Sequence, residues 1–550
     1  MIRPSLPWCR ARVAIVWIAS SSVFGCGGGG GGSTTAGSPP PSAGSPPPLA
    51  AAPVRVSGVS PFAANCAPTH GETLYSNSAV EPYVVVSPVN SQLIVGVWQQ
   101  DRWSGGGARG ILSARSVSGG LNWSIPSPPP LSHCMGGTVG NSGDYDRVSD
   151  PWVAISSDGA TLYQSALAYT TGTSSAVLVS VSADQGQTWS TPVAVVSDVP
   201  DTYFNDKDSI SSDPVDPSYA YVVWDRLTAD APAMIARTID RGASWQPMRV
   251  LYDPGAGNAT IGNVIVGLGG GAPLGTLVDC FTQHPASGVA TLRAIRSTDQ
   301  AQSWPSSTLV TIAALNSVQT RDPVSGTPVR DGSILGSFSA DPRSGSTTLY
   351  AAWEDATPVT SQAHNAILLS RSSDGGATWS NPLRVNADLT VPAFNPTLTV
   401  RGDGEIGLTY YDFRRFATAG AIPVSYWLAR SSDGGTTWTE TLIDGPFDLS
   451  SAPIVQAQYF LGDYESLAWA AADFLPFYAK TGTGSTGPTD IFFNSLNVAF
   501  GKAARAQQGR HYSAAPVPQA PASAAFRRAV ADNLRRSLMH RRPAPLLPSR

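Results

Sequence analysis

Charged residues are scarce in this chain of 550 residues, since Asp, Glu, Lys and Arg together make up 13% of it. Histidine and cysteine are scarcer still, with six and five copies. The histidines His70, His133, His284 and His364 are scattered without metal-ligand spacing, so no metal site is predicted. No Gly-rich loop opens a helix and no Gly-x-Ser-x-Gly motif occurs, so no phosphate loop, serine-hydrolase elbow or cofactor is expected.

Amphipathic helical patterns are missing before about residue 500, where short β-like runs and small polar residues dominate. A hydrophobic run long enough to span a bilayer is also missing from the N-terminal leader, because its apolar core covers only residues 13–19. The chain is long enough for several small domains or for one large all-β domain.

The N-terminus has the features of an export signal. Three arginines precede the apolar core, and the segment 23–26 resembles a bacterial lipobox ending at Cys26. We expect residues 1–26 to be a lipoprotein signal with Cys26 lipidated, and residues 27–53, rich in Gly, Ser and Pro, to be a tether. The protein is then exported to the bacterial cell envelope and lipid-anchored at the outer membrane or cell surface. An ordinary secretory leader is the alternative.

The charge is unevenly distributed along the chain. The net charge is −4, yet residues 502–550 carry ten basic residues and one acid, Asp532, so the body is clearly acidic. An acidic body argues against nucleic acid as a partner, and we expect a monomer. Within the basic tail 501–550, Phe526, Val530, Leu534 and Leu538 have helical spacing. This pattern fits a helix on anionic lipid, but a disordered tail is favoured.

One short motif occurs six times between residues 116 and 438, roughly every 55–75 residues. Its pattern is Ser-x-Asp-x-Gly-x-Thr-Trp, and the copies are Ser116–Trp123, Ser182–Trp189, Thr238–Trp245, Ser297–Trp304, Ser372–Trp379 and Ser431–Trp438. Each copy is predicted to be a turn between two strands, in which the Asp accepts backbone hydrogen bonds and the Trp packs between sheets. Ser118 replaces the Asp in the first copy and Ala301 replaces the Gly in the fourth, which a turn tolerates better than a catalytic site.

This motif is the Asp box, and the chain resembles the bacterial sialidases and other Asp-box β-propellers over residues 54 to about 500. The resemblance implies an all-β propeller whose repeats are blades of four strands. Six blades contain boxes, and their inner strands are predicted to start at residues 81–83, 150–152, 206–208, 261–263, 331–333 and 395–397. Three further strands follow the last box, and the first of them is predicted to start at residues 462–465. We therefore predict seven blades, with an N-terminal strand at residues 54–59 that closes the last blade. The six blades of classical sialidases are the alternative.

The resemblance also implies a site at the blade face opposite the boxes, where second strands end. Sialidases bind the sialic acid carboxylate with three arginines, and they use a Tyr–Glu pair as nucleophile and an Asp as acid/base. Arg102, Arg226 and Arg414 are the candidate forks, beside Asp225 and Asp412. The catalytic candidates are Asp101 as acid/base, Tyr411 or Tyr464 as nucleophile, and Glu465 or Glu81 beside it. The alternative for each Asp–Arg couple is an ion pair that braces the loops.

The family's Arg-bearing motif at the first inner strand is missing here, where residues 80–83 read Val-Glu-Pro-Tyr. The leading hypothesis is nevertheless an exo-α-sialidase-like glycoside hydrolase that cleaves terminal sialic acid or a related acidic sugar. The alternatives are a non-catalytic glycan- or protein-binding propeller lipoprotein of the cell envelope, and a different Asp-box glycosidase that acts on neutral polysaccharide.

Three cysteines follow the leader. Cys66 and Cys134 lie in Pro- and Gly-rich surroundings that flank the first blade, whereas Cys280 lies inside an apolar run. Because an exported chain permits disulfides, we predict a bond between Cys66 and Cys134 and a buried thiol at Cys280.

Overall fold

The computed structural model describes residues 52–199, 203–227, 231–269, 272–273, 275–414, 421–482, 487–496, 510–517 and 523–539. Every described residue lies in one compact unit, Pro47–Arg550. The predicted leader, Cys26 and most of the tether lie outside the described residues. No helix within the described ranges combines the length and the apolarity needed to cross a membrane.

The described part is almost entirely antiparallel sheet. The strands of its first half are β1 (Val54–Arg55), β2 (Leu74–Ser87), β3 (Asn90–Trp103), β4 (Ala108–Ser116), β5 (Arg147–Ile155), β6 (Leu162–Thr170), β7 (Ser174–Ser182), β8 (Val193–Asp198), β9 (Phe204–Ser212), β10 (Ala220–Leu227), β11 (Ala233–Thr238), β12 (Arg249–Tyr252), β13 (Ala259–Gly267), β14 (Leu277–His284), β15 (Thr291–Ser297) and β16 (Val310–Ala314).

The second half continues the pattern and ends in one α-helix. Its elements are β17 (Val329–Arg330), β18 (Ser337–Ala340), β19 (Leu349–Asp355), β20 (Ala366–Ser372), β21 (Leu383–Arg384), β22 (Ala393–Val400), β23 (Ile406–Asp412), β24 (Pro423–Ser431), β25 (Thr437–Asp448), β26 (Ile454–Val455), β27 (Gln458–Phe460), β28 (Ser466–Ala470), β29 (Asp473–Thr481), β30 (Thr489–Phe493), β31 (Arg510–Ser513) and α1 (Ala524–Met539). Short 3-10 turns occur at His133–Met135, Val139–Asn141, Ser306–Thr308 and Leu449–Ser451.

Consecutive strands pair into sheets in chain order. The groups are β2–β4 with β5–β8, β9–β12, β13–β16, β18–β21 and β22–β25 with β31, while β28, β29 and β30 pair with β1. The first strands β2, β5, β9, β13, β18, β22 and β28, called the inner strands below, each contact the next, and β28 contacts β2. The predicted all-β propeller is thus confirmed. These contacts support seven blades, but the number of blades and the closure of the ring stay predictions.

Each Asp box forms the predicted turn between a third and a fourth strand, except that in the first blade the fourth strand is reduced to a single bridge between Arg115 and Ser124. In the fifth box the Ser372 hydroxyl accepts the Gly376 N–H at 2.9 Å, and the Asp374 carboxylate accepts the Thr378 N–H at 2.9 Å. In the first box Ser118 replaces the Asp, and its hydroxyl still accepts the Asn122 N–H at 2.9 Å. Ala301 replaces the Gly of the fourth box and adopts a left-handed φ of 60°, which costs more for Ala than for Gly.

Cys66 and Cys134, the predicted pair, are joined by a disulfide across a sequence separation of 68 residues. The bond ties the segment between β1 and β2 to the long connection between β4 and β5. Cys280 is a buried free cysteine on β14. The disulfide therefore anchors two loops that have little secondary structure of their own.

The expectation of a disordered tail is wrong for residues 524–539, which form helix α1. Its apolar residues Phe526, Val530 and Leu534 are buried in one cluster with Leu227 and Ile334 of the propeller. Burial of a continuous apolar stripe offsets the entropy of ordering the segment. The same packing leaves these three side chains inside the protein, where they are not available to a lipid surface.

Candidate active site

The inner strands share a local distortion at one end. Glu81, Asp150, Lys207 and Asn395 adopt left-handed φ values of 51°, and the ladder register shifts beside each of them. A bulge of this kind changes the direction in which a side chain points. Left-handed backbone is unfavourable for these residue types, and such strain occurs often at functional sites. The positions coincide with the starts of the predicted inner strands.

The bulged side chains converge on Asp463, which precedes β28. Lys207 Nζ lies 2.7 Å from Asp463 Oδ2 and 3.3 Å from Asp150 Oδ2. Glu81 Oε1 accepts the Asp463 N–H at 3.1 Å, and Asn395 Nδ2 donates to the Gly462 carbonyl at 2.8 Å. We call Glu81, Asp150, Lys207, Asn395 and Asp463 the axial cluster. It links inner strands that are far apart in sequence.

Arg330, the second residue of β17, adds a second cation to the axial cluster. Its Nε and Nη2 atoms lie 2.8 and 2.6 Å from the two carboxylate oxygens of Asp463, which is a bidentate ion pair. Asp463 therefore faces two cations, Arg330 and Lys207. This pairing holds its carboxylate in place with both oxygens engaged.

A cavity of about 110 Å³ adjoins the axial cluster. It is lined by all seven inner strands or the residues that precede them, and it therefore lies among the inner strands. The carboxyl residues in its lining are Asp208, Asp331, Asp463 and Glu465, and Lys207 is the basic residue. Carboxyl groups enclosed together in this way are harder to ionise than carboxyls in water.

Burial changes the acidity of these carboxyl groups. Desolvation, reinforced by the negative charge of Asp150, raises the pKa of Asp208 well above its usual range. Desolvation likewise raises the pKa of Asp331 and of Glu465. It raises the pKa of Glu81 to about 7, although the Lys207 ammonium opposes the shift. The cavity therefore combines proton-holding carboxyls with the ion-paired Asp463.

An aromatic wall forms one side of the cavity. Trp152 stacks on Tyr83 with ring centroids 3.9 Å apart, and Tyr464 lies 5.7 Å from Trp152. All three residues line the cavity. Burial and the neighbouring carboxylates, Glu81 first among them, raise the pKa of Tyr464 well above its usual range. A flat apolar surface beside carboxyl groups suits a ring-shaped polar ligand.

The predicted catalytic residues are divided between the cavity and the protein interior. Tyr464 and Glu465 line the cavity, and Glu81 belongs to the axial cluster. Tyr411 is completely buried and donates to the Ala479 carbonyl at 2.6 Å. Asp101 does not line the cavity. Its carboxylate accepts from the Ser60 hydroxyl at 2.8 Å and from the Asn77 N–H at 2.7 Å. The acid/base role predicted for Asp101 therefore has no support from its position.

The three predicted arginines have separate partners in the structure. Arg226 forms an ion pair with Asp198 and lies 3.8 Å over the Tyr203 ring. Arg414 forms ion pairs with Asp412 and Glu440. Arg102, Arg226 and Arg414 are all absent from the cavity lining. The alternative of a bracing ion pair describes the Asp412–Arg414 couple, whereas the carboxylate that pairs with Arg226 is Asp198 of an outer strand.

Arg102 is enclosed in a different way. Its guanidinium donates to the Gln99 side chain and lies 4.5 Å over the Phe460 ring. Burial lowers its pKa, opposed by the negative charge of Glu81. Arg102 therefore holds Gln99 and Phe460 in place and does not line the cavity.

The acidic partners predicted for substrate binding also have structural contacts. Asp225 Oδ2 accepts the Gly262 N–H at 2.8 Å, at the bulge of the next inner strand. Glu354 makes the equivalent bond to the Asn395 N–H at 2.9 Å. Asp412 accepts from the Trp427 indole at 2.8 Å, and burial raises its pKa to about 6. Asp225 and Glu354 thus connect neighbouring sheets, whereas Asp412 bonds within its own sheet.

Lys207, Asp208, Asp331, Asp463 and Arg330 were missed as site residues. The first four lie in segments predicted to start inner strands. The signal that could have identified them as site residues was their position beside a bulge that recurs in these strands. Arg330 carried no such signal, since β17 is two residues long and its partner β27 is more than a hundred residues further on.

Comparison with known proteins gives remote structural matches. No family model and no curated protein matches the sequence. Among solved structures, an α-L-arabinofuranosidase from Fusarium graminearum is 11% identical, covers 70% of this chain and 99% of its own, and has a TM-score of 0.40. The Hadza microbial sialidase Hz136 is 14% identical over 82% of this chain and 98% of its own, with a TM-score of 0.39.

A Trypanosoma rangeli sialidase in complex with 2,3-difluorosialic acid is 13% identical, covers 82% of this chain and 59% of its own, and has a TM-score of 0.37. Identities in this range carry no assignment of substrate. The order of the antiparallel sheets and the six box turns between third and fourth strands are features of this chain itself. On these features, the chain has the sialidase-like Asp-box β-propeller fold.

Proposed function

We propose that the protein is a glycoside hydrolase that binds a sugar unit in the cavity among the inner strands. The observation that carries the proposal is a pair of carboxyl residues held in different environments within one cavity. Burial raises the pKa of Asp208 well above its usual range, whereas Lys207 and Arg330 ion-pair with Asp463. Glycosidases need such a division between an acid and a carboxylate.

In this proposal Asp208 protonates the leaving-group oxygen, and Asp463 stabilises the positive charge that develops on the sugar ring. The aromatic wall of Tyr83, Trp152 and Tyr464 supplies a flat surface against which the ring packs. The small volume, about 110 Å³, favours a single sugar unit and hence cleavage at a chain end.

The charge of the lining bears on the choice of substrate. Lys207, the basic residue in the lining, is already shared between Asp150 and Asp463. A sugar carboxylate would therefore face more acids than cations, so we favour a sugar without a negative charge. Sialic acid remains the second candidate, because Tyr464 lines the cavity in the neighbourhood of the Glu81 carboxyl, and the resembling family uses a Tyr nucleophile.

A non-catalytic glycan-binding propeller is the competing class. The observation that favours it is the tight pairing of Asp463, whose two oxygens are engaged by Arg330 and Lys207. An enzyme can use the charge of a carboxylate restrained in this way, but it cannot use that carboxylate in a step that requires the group to move.

The test is hydrolysis of a panel of fluorogenic glycosides by the purified chain. The panel contains neutral hexosides and pentosides, hexosaminides and an α-sialoside. We expect turnover of at least one non-acidic glycoside, and Asp208→Asn should lower kcat by about a hundredfold or more, as expected for a general acid. Asp279→Asn is the matched control, because Asp279 is an equally buried carboxyl outside the cavity lining.

Turnover restricted to the sialoside would establish the second candidate. Correctly folded protein that binds sugars without hydrolysing any glycoside would establish the binding class. Equal losses in the Asp208 and Asp279 variants would remove the acid role from Asp208.

The location at the cell envelope also stays a proposal. It rests on the leader and on the lipobox-like segment ending at Cys26. If Cys26 carries lipid, Cys26→Ser should move the protein from the membrane fraction to the soluble fraction. Identical fractionation of both forms would contradict lipidation.

A further inference from the structure

The cavity has more hydrogen-bond acceptors than donors to match them. Neither carboxylate oxygen of Asp208 has a hydrogen-bond partner of good geometry, although the Ser165 hydroxyl is near enough to affect its pKa. Asp331 Oδ1 accepts the Ser333 N–H at 3.0 Å, and its Oδ2 has no partner of good geometry, although the Thr320 and Ser333 hydroxyls are near enough to affect its pKa. The two residues are 1% and 4% exposed and both line the cavity. Buried carboxyls in this state favour a ligand that brings donors.

The charge census points to the same kind of ligand. Asp208, Asp331, Asp463 and Glu465 line the cavity, and Lys207 alone among the lining residues is basic. Because Lys207 forms ion pairs with Asp150 and Asp463, its charge is not available to a ligand anion. A cationic ligand would meet carboxyls that it can ionise, whereas an anionic ligand would leave them unpaired.

The aromatic wall adds a surface suited to a cation and to a sugar ring at once. A cation over the face of a Tyr or Trp ring is attracted by the ring quadrupole. Lys207 Nζ already lies 5.9 Å from the centre of the Tyr464 ring. The neighbouring Trp152 and Tyr83 rings extend this surface along the cavity.

We infer that the cavity selects a sugar that carries a protonated amino group, such as a de-N-acetylated hexosamine. The ammonium group donates to Asp208, and the ring packs on Trp152 and Tyr464. This inference rests on the proposed function for the site but specifies the class of sugar, which binding measurements address without turnover. Because an ammonium group has three donors, it can supply the hydrogen bond that the oxygens of Asp208 lack.

The experiment is isothermal titration calorimetry of the full chain at pH 7 with single sugars. The probes are glucosamine and galactosamine, their N-acetylated forms, glucose, glucuronate and N-acetylneuraminate. At least one free amino sugar should bind roughly tenfold or more tightly than its acetylated form and than glucose, since a charge-assisted hydrogen bond is gained. Methylammonium tests whether the charge alone suffices, and it should bind more weakly than the amino sugar.

Asp208→Asn should abolish the preference for the free amine. Asp279→Asn, a buried carboxyl outside the lining, should retain it. Equal or tighter binding of the acetylated, neutral or acidic sugars would overturn the inference, as would methylammonium binding as tightly as the amino sugar or no sugar binding at all. A retained amine preference without hydrolysis of any glycoside would overturn only the proposed enzymatic function. Hydrolysis of neutral glycosides without amine preference would overturn only the inference.

Discussion

At the scale of single residues, the bulged positions of the inner strands decide the chemistry. Four residues that are not glycine share a left-handed backbone there, and each places a polar group in the axial cluster. The sequence identified these segments as strand starts but did not indicate where their side chains point. Direction depends on the bulge, and the bulge depends on pairing with a distant strand.

Glu81 should give the protein a measurable pH dependence. In the unfolded chain its carboxyl releases its proton near pH 4.5, whereas burial holds the proton to about pH 7 in the folded state. Between these values the folded state binds more protons, so stability falls as pH rises. We expect the melting temperature of Glu81→Gln to fall less between pH 5 and 7.5 than that of the parent. Parallel melting curves across this range would show that Glu81 is ionised in the folded protein.

Arg226 should matter for stability and not for ligand binding. Its guanidinium engages Asp198 through two nitrogens and covers the Tyr203 ring. Arg226→Lys keeps the charge but loses the fork, at a cost of roughly 1 kcal/mol. Urea unfolding and sugar titrations on the same variant separate the two effects. A weakened sugar affinity with unchanged stability would restore Arg226 as a ligand contact.

Ala301 should be a site where one substitution stabilises the chain. The Gly-to-Ala exchange in the fourth box leaves a buried alanine at a φ of 60°. Ala301→Gly should therefore raise the free energy of unfolding by up to about 1 kcal/mol. The reciprocal control is Gly435→Ala in the sixth box, where a Cβ would lie 2.6 Å from Leu369 and should destabilise. Chemical denaturation of both variants checks the pair, and a destabilised Ala301→Gly would contradict the strain argument.

At the scale of elements, helix α1 shows what a sequence pattern can and cannot predict. The apolar spacing predicted a helix correctly as one alternative, yet the pattern alone could not tell a lipid surface from a protein surface. The receiving surface includes Leu227 of β10 and Ile334 of the segment that precedes β18. It exists only after the propeller has formed. Asn533, also buried, adds a hydrogen bond to the Ser333 hydroxyl at 3.1 Å.

Two neighbouring positions on α1 give a matched test of this packing. Val530 is buried, and the adjacent Ala531 is exposed. Val530→Asp should lower the melting temperature and make the segment sensitive to protease, because an unpaired charge would be buried. Ala531→Asp should behave like the parent chain. Equal protease sensitivity of the two variants would show that α1 does not depend on its apolar stripe.

At the scale of the whole molecule, repetition made the fold predictable and left the site partly hidden. Six boxes define the strand order because each repeat has the same turn chemistry. The ion-pair partners of Arg226 and Arg414 could not be predicted, because the position of an arginine at a strand end does not reveal which carboxylate it will meet. Asp198 and Glu440 belong to outer strands. Tyr464 and Glu465 were found because they follow the last repeat at the position of an inner-strand start. Arg330 could not be found, since its role depends on a pairing between distant segments.

The pairing of β1 with β30 should contribute to the stability of the entire domain. The Val56 N–H donates to the Ile491 carbonyl at 2.8 Å just beyond this pair. Val56→Pro removes that donor and should cost about 1–3 kcal/mol in global unfolding. Val59→Pro, at a 68% exposed position, is the control and should change little. Equal denaturation midpoints for the two variants would mean that the segment contributes nothing to the domain.

The same pairing has a consequence for how the chain reaches its final state. Val54 lies opposite Phe493, so one sheet needs residues from both ends of the described chain. Such a contact has a very large sequence separation, and non-local contacts of this kind slow folding. Until β30 has been synthesised and has paired with β29, the edge of β29 stays open to strands of other molecules. A chain interrupted in synthesis before residue 493 would therefore be prone to aggregation, and the full-length chain should fold in a late, slow step.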